Sequence, residues 1–178
     1  MHTIKDLKIL AIDPGTKELG IAVLIGSQLA YYAVKTFKQR QVPHAFLAEV
    51  SGFIDSLISD YQPTAMAIEK TFLIQRDSAL LNVAAAEIKH TGRQCGLLVY
   101  EYEPMLVKQK ICSETNKPTK RQVADVLTHR FPELAQFLSR PSKWEQLYWA
   151  HVFDAVAVGV VCLEEVYGTE AEDVSKLL

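Results

Sequence analysis

The chain has 178 residues, of which 49% are hydrophobic and 22% are charged, and its formal net charge is −2. This composition predicts one compact domain with a sizeable core and argues against a protein coated in positive charge. We expect a cytoplasmic protein with no membrane span, because no apolar run reaches bilayer length and the N-terminus lacks the layout of a signal peptide. The cysteines are far apart, which predicts buried thiols in a reducing compartment: Cys95, Cys112 and Cys162.

Charge is distributed unevenly along the chain. Residues 104–143 contain eight Lys or Arg against three acids, whereas five acids and one Lys follow residue 163. Such asymmetry is typical of a protein that turns one side toward a polyanion. Solvated helix faces would produce the same pattern in either segment.

The first predicted elements are three antiparallel strands. Residues 9–12 are bulky and apolar, as in a strand buried on both faces, and this strand ends at Asp13. A Pro-Gly turn leads to a second strand over residues 21–24, and loose alternation over residues 28–37 predicts a third. Taken alone, Asp13 is equally consistent with ordinary turn chemistry.

A helix and a parallel strand follow this meander. Apolar residues recur at helical spacing over residues 42–61, and residues 65–68 form an apolar strand that ends at Glu69. A right-handed crossover would set this strand parallel to the first, with both carboxyl ends at one edge of the sheet. We therefore expect Asp13 and Glu69 to lie close together.

The remaining pattern alternates helices with one more strand. It predicts a helix over residues 77–90, a parallel strand over residues 97–102 and a basic helix after residue 104. A helix over residues 119–131 begins at a Thr cap, and its buried residues are predicted to be Val123, Val126 and Leu127. The expected fold class is α/β, with a mixed central sheet flanked by helices.

The last long apolar segment, residues 149–163, is too long and too rich in Ala for an ordinary strand, and we interpret it as a buried helix. His151 and Asp154 are three residues apart, so a helix would place both on one face. An ionised Asp inside an apolar helix is costly unless it is paired. The pairing favours a ligand role over a core histidine.

Three acids and one histidine thus form a candidate metal site: Asp13, Glu69, Asp154 and His151. Carboxylate oxygens without cysteine suit hard divalent cations, chiefly Mg²⁺, with Mn²⁺ tolerated beside an imidazole. Two such ions about 4 Å apart stabilise both the attacking water and the leaving oxygen in phosphodiester hydrolysis. The sequence therefore predicts that chemistry.

Five blocks in register resemble the RuvC family of Holliday-junction resolvases, within the RNase H-like superfold. The first is the Asp-Pro-Gly-Thr motif within residues 12–20, and the others follow in the family's order over most of the chain: residues 67–72 with 77–80, 99–109, 119–123 and 151–155. The resemblance implies an RNase H-like fold and a structure-selective endonuclease that cuts four-way DNA junctions during recombination and repair.

The resemblance also implies roles for individual residues. Asp13, Glu69, His151 and Asp154 match the family's catalytic metal-site positions, with two Mg²⁺ ions for which Mn²⁺ substitutes. His151 would be either a ligand or the group that takes a proton from water. Lys108 and Lys120 match basic catalytic residues near the scissile phosphates. The expected DNA contacts are Phe72, which would stack on bases, and the cations Lys110, Lys117 and Arg121. A core role for Phe72 and solvated positions for the lysines are the simpler alternatives.

Further expectations concern assembly and domain limits. The family acts as two-fold homodimers on branched DNA, with branch-migration helicases as possible partners, and the helix over residues 77–90 is a plausible dimer contact. We expect a nuclease domain over residues 1–163 and an acidic tail over residues 164–178 that does not bind DNA. Residues 131–149 are longer than the family pattern, and their role is open.

Three other interpretations are weighed against the resolvase. The first motif also resembles YqgF-type nucleases of RNA processing, which lack the Lys108 and Lys120 blocks in this arrangement. It is similar, too, to the phosphate-binding hairpin of sugar kinases and actin-like ATPases, whose two-lobed fold needs a longer chain. A non-catalytic junction-binding module would leave buried acids without metal, which is costly.

Overall fold

The structure is a computed structural model that describes residues 7–38, 42–71, 78–140 and 142–175, without the side chains of residues 78 and 167–175. The described chain forms five strands, six α-helices and one 3₁₀ turn. The strands are β1 (Lys8–Asp13), β2 (Glu18–Ile25), β3 (Gln28–Thr36), β4 (Ala65–Glu69) and β5 (Leu98–Tyr102). The helices are α1 (Pro43–Tyr61), α2 (Ser78–Gln94), α3 (Pro104–Ile111), α4 (Lys120–Arg130), α5 (Ala135–Leu138) and α6 (Lys143–Ser175), and the 3₁₀ turn is Pro132–Leu134.

The strands form one mixed sheet in the order β3-β2-β1-β4-β5. The first three pair antiparallel, whereas β4 pairs parallel with β1 and β5 pairs parallel with β4. Ile12 of β1 pairs with Ile68 of β4. The next residues, Asp13 and Glu69, therefore lie at the carboxyl ends of neighbouring parallel strands, at the same edge of the sheet. The predicted meander, crossover and shared edge are confirmed.

Helices cover both faces of the sheet. Ile9 and Ala11 of β1 belong to one core with α3, α4 and α6, while Leu10 and Ile12 belong to a second core with α1 and α2. All four side chains are fully buried. This confirms that β1 is buried on both faces, as its continuous apolar run predicts.

Helix α6 is the predicted buried helix, but it is longer than expected. It starts at Lys143 rather than near residue 149, and it continues through Ser175, so the predicted domain boundary after residue 163 falls within it. A Cβ at Gly159 would lie 2.3 Å from Leu24 Cδ1 and 2.8 Å from Ala11 Cβ, which shows how closely α6 packs on the sheet.

Helix α6 is long and apolar enough to span a bilayer by length and composition, although the sequence holds no continuous apolar run of that length, as expected. Its stretch Lys143–Val166 has 24 residues, and the most apolar 18-residue window has a mean hydropathy of 1.5. However, 61% of its most apolar window is buried inside the fold. The apolar surface of α6 therefore belongs to a core helix.

Three smaller expectations also need correction. Val126 is 42% exposed, and Ala124 is buried in its place, because residues 123, 124 and 127 share the inner face of α4. Helix α2 continues past Gly92, which packs against Met66, and ends at Gln94 before Gly96 with its φ of 81°. Cys95 is exposed, while Cys112 and Cys162 are buried as expected.

Candidate active site

Asp13 is buried at the end of β1, with 8% of its surface exposed. Its Oδ2 lies 2.7 Å from Nδ1 of His151, which is on α6. Burial raises the pKa of the Asp13 carboxyl, and the contact with His151 partly opposes that rise. The predicted pair of ligand candidates, 138 residues apart in sequence, therefore meets in space.

A glycine allows this contact. Asp13 pairs with Gly20 across the β1–β2 ladder, and a Cβ at Gly20 would lie 2.1 Å from the carbonyl oxygen of His151. Any side chain at position 20 would push α6 away from the strand. The close backbone approach sets His151 beside Asp13.

Glu18 is a residue of the site that the sequence analysis missed. Its Oε2 lies 3.4 Å from Nε2 of His151, so the imidazole stands between two carboxylates, Asp13 and Glu18. The hydrogen bond with Asp13 is the main cause that raises the pKa of His151 above its ordinary value, while burial opposes it. The alternation of β2 offered a signal, since residues 18 and 20 face the same side of the strand.

Asp154 lies one helical turn after His151 and is paired with Lys120. The Lys120 Nζ lies 2.5 Å from Asp154 Oδ2. Lys120 is the first residue of α4 and follows the predicted cap, Thr119. The Thr119 side chain accepts a hydrogen bond from the backbone N–H of Gln122. Burial lowers the pKa of the Lys120 ammonium, but Asp154, Asp13 and Glu69 together raise it above its ordinary value, so this lysine keeps its charge.

Glu69 completes the group at the end of β4. Burial, followed by the charges of Asp13 and Asp154, raises the pKa of this carboxyl to about 8, while Lys120 and Lys108 lower it. Glu69 therefore interacts electrostatically with Asp13, Asp154, Lys120 and Lys108, and His151 is linked to this group through Asp13 and Asp154. Glu69 is protonated at neutral pH unless another cation joins the site.

The predicted DNA contacts are more dispersed. Lys110 is paired with Glu165 of α6, and Lys117 is exposed in the loop between α3 and α4. Arg121 lies 3.1 Å from Asp125 and also donates to the carbonyl oxygen of Leu138. Phe72 lies outside the described residues.

The donor set fits divalent cations. Burial and, after it, the charges of Asp13 and Asp154 raise the pKa of Glu69, and a hard cation would oppose both effects. Within the described ranges, no three His, Cys, Asp or Glu side chains are already arranged to hold a metal ion. Asp154 is directed at the Lys120 ammonium instead, so the carboxylates would have to reorient to bind a cation.

The sheet order and the acidic edge together define an RNase H-like α/β domain with a carboxylate-rich site. The family model "Crossover junction endodeoxyribonuclease RuvC" matches residues 9–163. The chain belongs to the RuvC family.

Relatives of known name agree with this assignment. The RuvC of Azoarcus sp. is 34% identical over 122 residues, which cover 65% of this chain and 66% of that protein. The RuvC of Heliobacterium modesticaldum is 29% identical over 161 residues, or 86% of this chain and 92% of the relative. The chain spans slightly less than two thirds of the Azoarcus protein and 64% of the Syntrophomonas wolfei one.

Solved structures show the same fold. Thermus thermophilus RuvC superposes with a TM-score of 0.71 at 22% identity, covering 92% of this chain and 98% of that one. The same protein in complex with a Holliday junction substrate gives a TM-score of 0.72. The yeast mitochondrial resolvase Ydc2 gives 0.63 at 12% identity, covering 86% of this chain and 76% of that one.

Proposed function

We propose that this chain is a structure-selective endonuclease that cuts four-way DNA junctions by metal-dependent phosphodiester hydrolysis. The observation that carries the proposal is the convergence of Asp13, Glu69, His151 and Asp154 at one edge of the sheet. Membership of the RuvC family supports the substrate, since relatives carry the name crossover junction endodeoxyribonuclease. A Thermus relative has been solved with a Holliday junction.

The four acidic and imidazole side chains would hold two Mg²⁺ ions, for which Mn²⁺ substitutes. Such ions would activate a water molecule as the nucleophile and would stabilise the charge that develops on the leaving oxygen. Asp13 is the best candidate for a shared ligand, because it is the buried carboxylate between His151 and Glu69. His151 presents Nδ1 to the same space, either as a ligand or as a proton acceptor.

Lys108 and Lys120 would act on the substrate. Both contribute positive charge at Glu69, and Lys120 is 62% exposed at its side chain, within reach of a DNA backbone. A fixed ammonium beside a scissile phosphate offsets the charge that develops in the transition state. We assign these two lysines to that role.

Other assignments extend the proposal to binding and assembly. Phe72, Lys110, Lys117 and Arg121 are the proposed DNA contacts. The active form is proposed to be a homodimer that works in the cytoplasm, with branch-migration helicases as partners. A homodimer would present two sites to the two symmetry-related strands of a junction. Residues 1–163 are proposed to form the nuclease domain, followed by the acidic tail over residues 164–178.

The test is cleavage of a synthetic four-way junction by two charge-removing variants. Asp13→Asn and Asp154→Asn should each lower the Mg²⁺-dependent rate by more than about 100-fold, because each loses a carboxylate ligand, while junction affinity in chelator is kept. Glu133→Gln, at an exposed acid of the 3₁₀ turn, is the matched control. Unchanged cutting by either site variant would remove the metal-site assignment.

The same assay separates the alternatives. Wild-type protein should cut the junction in preference to fork, linear duplex and structured RNA, with either Mg²⁺ or Mn²⁺. Preferred cutting of RNA would indicate a YqgF-type activity. Tight junction binding without cutting under any metal would indicate a binding module.

A further inference from the structure

The candidate metal site contains a positive charge of its own, the ammonium of Lys120. Its Nζ lies 2.5 Å from Oδ2 of Asp154, whose side chain is only 15% exposed. A carboxylate this deeply placed is costly without a partner, and an ammonium at hydrogen-bond distance offsets that cost. Lys120 is therefore the counter-cation of a residue that we assign to metal binding.

The charge of Lys120 also acts on the other two carboxylates of the site. It favours the ionised forms of Asp13 and Glu69, because it opposes the rise in pKa that burial causes at each carboxyl. A divalent cation held by the same carboxylates would have the same effect with a larger charge. The Lys120 ammonium and the proposed metal ions thus compensate the same negative charge.

The backbone of Lys120 is held in place, whereas its side chain has room to move. Thr119 and Gln122 form a capping box, in which the Gln122 side chain accepts a hydrogen bond from the Thr119 N–H, so the first turn of α4 is fixed. The Lys120 side chain is mostly exposed. Together with Asp154 it lines a cleft of about 280 Å³ between the start of α4, the end of α5 and the first turns of α6. The ammonium can therefore leave Asp154 by rotation of its side chain, without a shift of the helix.

The ion pair conflicts with the roles proposed for its two members. Asp154 needs a free carboxylate oxygen to hold a cation, and Lys120 needs a free ammonium to face a DNA phosphate. Neither group is free while the two are paired. A cation bound at Asp154 would also repel the ammonium, because like charges at this separation repel one another strongly near a protein surface. The two roles are compatible only if the pair separates when a cation binds.

We propose that Lys120 and a divalent cation compete for Asp154, so that Lys120 is released to a DNA phosphate only when the cation is bound. The inference rests on the proposed junction-cutting function. It gives Lys120 two successive partners, the Asp154 carboxylate in the protein without metal and the phosphate in the loaded site. Because coupling between two ligands is reciprocal, DNA that draws Lys120 away from Asp154 should also raise the affinity for the cation. Metal and junction should therefore bind with positive cooperativity.

The first test measures Mn²⁺ affinity by calorimetry on the protein without DNA. Lys120→Met keeps the length of the side chain and removes its charge, so it should bind Mn²⁺ at least about threefold more tightly than wild type. Lys143→Met is the matched control, because Lys143 lines the same cleft from α6 while Lys120 is the lysine paired with Asp154. Its affinity should stay within about twofold of wild type. Both lysines are exposed, so both variants should fold, and thermal unfolding in chelator checks this.

The second test follows Lys120 in the wild-type protein, again without DNA. Acetylation by an amine-reactive ester, mapped by mass spectrometry, should be faster at Lys120 in Mg²⁺ than in chelator, because the amine has left its ion pair. Lys143 should react at the same rate in both media. In Asp154→Asn, Lys120 should react fast with and without Mg²⁺.

The third test asks whether the released ammonium reaches DNA. The logarithm of the affinity falls with the logarithm of the salt concentration in proportion to the number of phosphates that the protein neutralises. In Ca²⁺, the slope for junction binding should therefore be steeper by about 0.9 in wild type than in Lys120→Met, and in chelator the two slopes should be equal. Equal slopes in both media would overturn the release of Lys120 toward DNA.

The outcomes separate the competition at Asp154 from the proposed function. Mn²⁺ binding by Lys120→Met that is no tighter than in wild type would overturn the competition, and so would acetylation of Lys120 that does not respond to Mg²⁺. If wild type nevertheless cuts junctions, only the competition fails. If Lys120→Met binds Mn²⁺ more tightly but wild type does not cut junctions, the resolvase assignment fails and the competition stands.

Discussion

At the scale of single residues, Glu18 has the strongest consequence for the site. Its carboxylate lies 3.4 Å from Nε2 of His151, while Nδ1 of the same ring lies 2.7 Å from Asp13. A carboxylate on one imidazole nitrogen fixes the orientation of the ring and leaves the other nitrogen for a metal or a proton. We propose that Glu18 is a positioning residue that acts through His151.

Replacing Glu18 tests this arrangement. Glu18→Ala should lower Mn²⁺ affinity and cleavage by roughly 10- to 100-fold, because the His151 ring loses its outer partner. Glu18→Gln keeps an acceptor oxygen and should restore most of both. Mn²⁺ binding is measured by calorimetry on the protein without DNA, and ¹⁵N NMR reports which His151 nitrogen carries the proton. Equal effects of Ala and Gln would contradict a positioning role.

The sequence identified some residues of the site and missed others for a physical reason. Asp13 and Glu69 end apolar strands, and His151 and Asp154 share a helix face, so local pattern was sufficient to single them out. Glu18 depends on how closely α6 approaches β2, which is a packing relation between elements far apart in sequence. A pattern within one segment does not contain that distance.

At the scale of elements, the contact between β2 and α6 governs the site. Gly20 leaves no side chain between the strand and the backbone of His151, and Gly159 does the same further along α6, against Leu24. Two glycines, Gly20 and Gly159, therefore set the position of α6 on the sheet, and flexible side chains do not. This close packing keeps the distance between Asp13 and His151 fixed.

The variant Gly20→Ala tests this seating. Its methyl group would lie 2.1 Å from the carbonyl oxygen of His151, so α6 must shift. We expect the free energy of unfolding to fall by about 1 to 3 kcal/mol. We also expect a clear loss of Mg²⁺ affinity. Gly52→Ala is the control, because nothing lies within 4 Å of a Cβ at that helical position, and it should be slightly stabilising. Thermal unfolding and metal titration measure both. Similar behaviour of the two variants would contradict the seating role.

Most elements were predictable, and the failures share a cause. Strands β1, β3 and β4 and helix α1 follow clear periodicity and lie within one residue of their predicted limits, whereas β2 begins at Glu18, three residues before its predicted start. The start of α6 was missed because residues 143–148 are mostly polar or aromatic, without the Ala-rich pattern of the buried part. Val126 of α4 was predicted to be buried because it is hydrophobic, but contacts with other elements decide which face of a helix is buried.

At the scale of the whole molecule, the acidic site is a source of instability. Burial and neighbouring acids raise the folded-state pKa of Glu69 to about 8, against an ordinary value of 4.5. Between these values the folded chain holds a proton that the unfolded chain has released, so the free energy of unfolding falls as pH rises through this window. Function therefore opposes stability at this edge of the sheet.

The prediction concerns Glu69→Gln in the presence of chelator. The variant should be more stable than wild type by on the order of 1 kcal/mol at pH 8, because solvent screens part of the interaction, and the gain should vanish below about pH 4.5. Added Mg²⁺ should stabilise wild type more than the variant, since only wild type keeps the ligand. Denaturant unfolding across pH measures both. A gain that does not change with pH would contradict the assigned pKa.

The overall topology was the most predictable feature, because handedness and parallel pairing follow from general rules. The cleft beside Asp154 was not predictable, since it depends on three helices whose relative positions no local pattern encodes. Phe72 lies outside the described residues and stays a prediction.

Two glutamates of α6, Glu164 and Glu165, have a consequence for DNA affinity. Glu165 is paired with Lys110, and Glu164 lies 2.5 Å from Arg130. These cations are already neutralised by the chain itself, so they release few mobile counter-ions from DNA when they approach it. The steepness with which binding weakens as salt is added should therefore follow the cations that lack such internal anions, and not the full 19 Lys and Arg of the sequence.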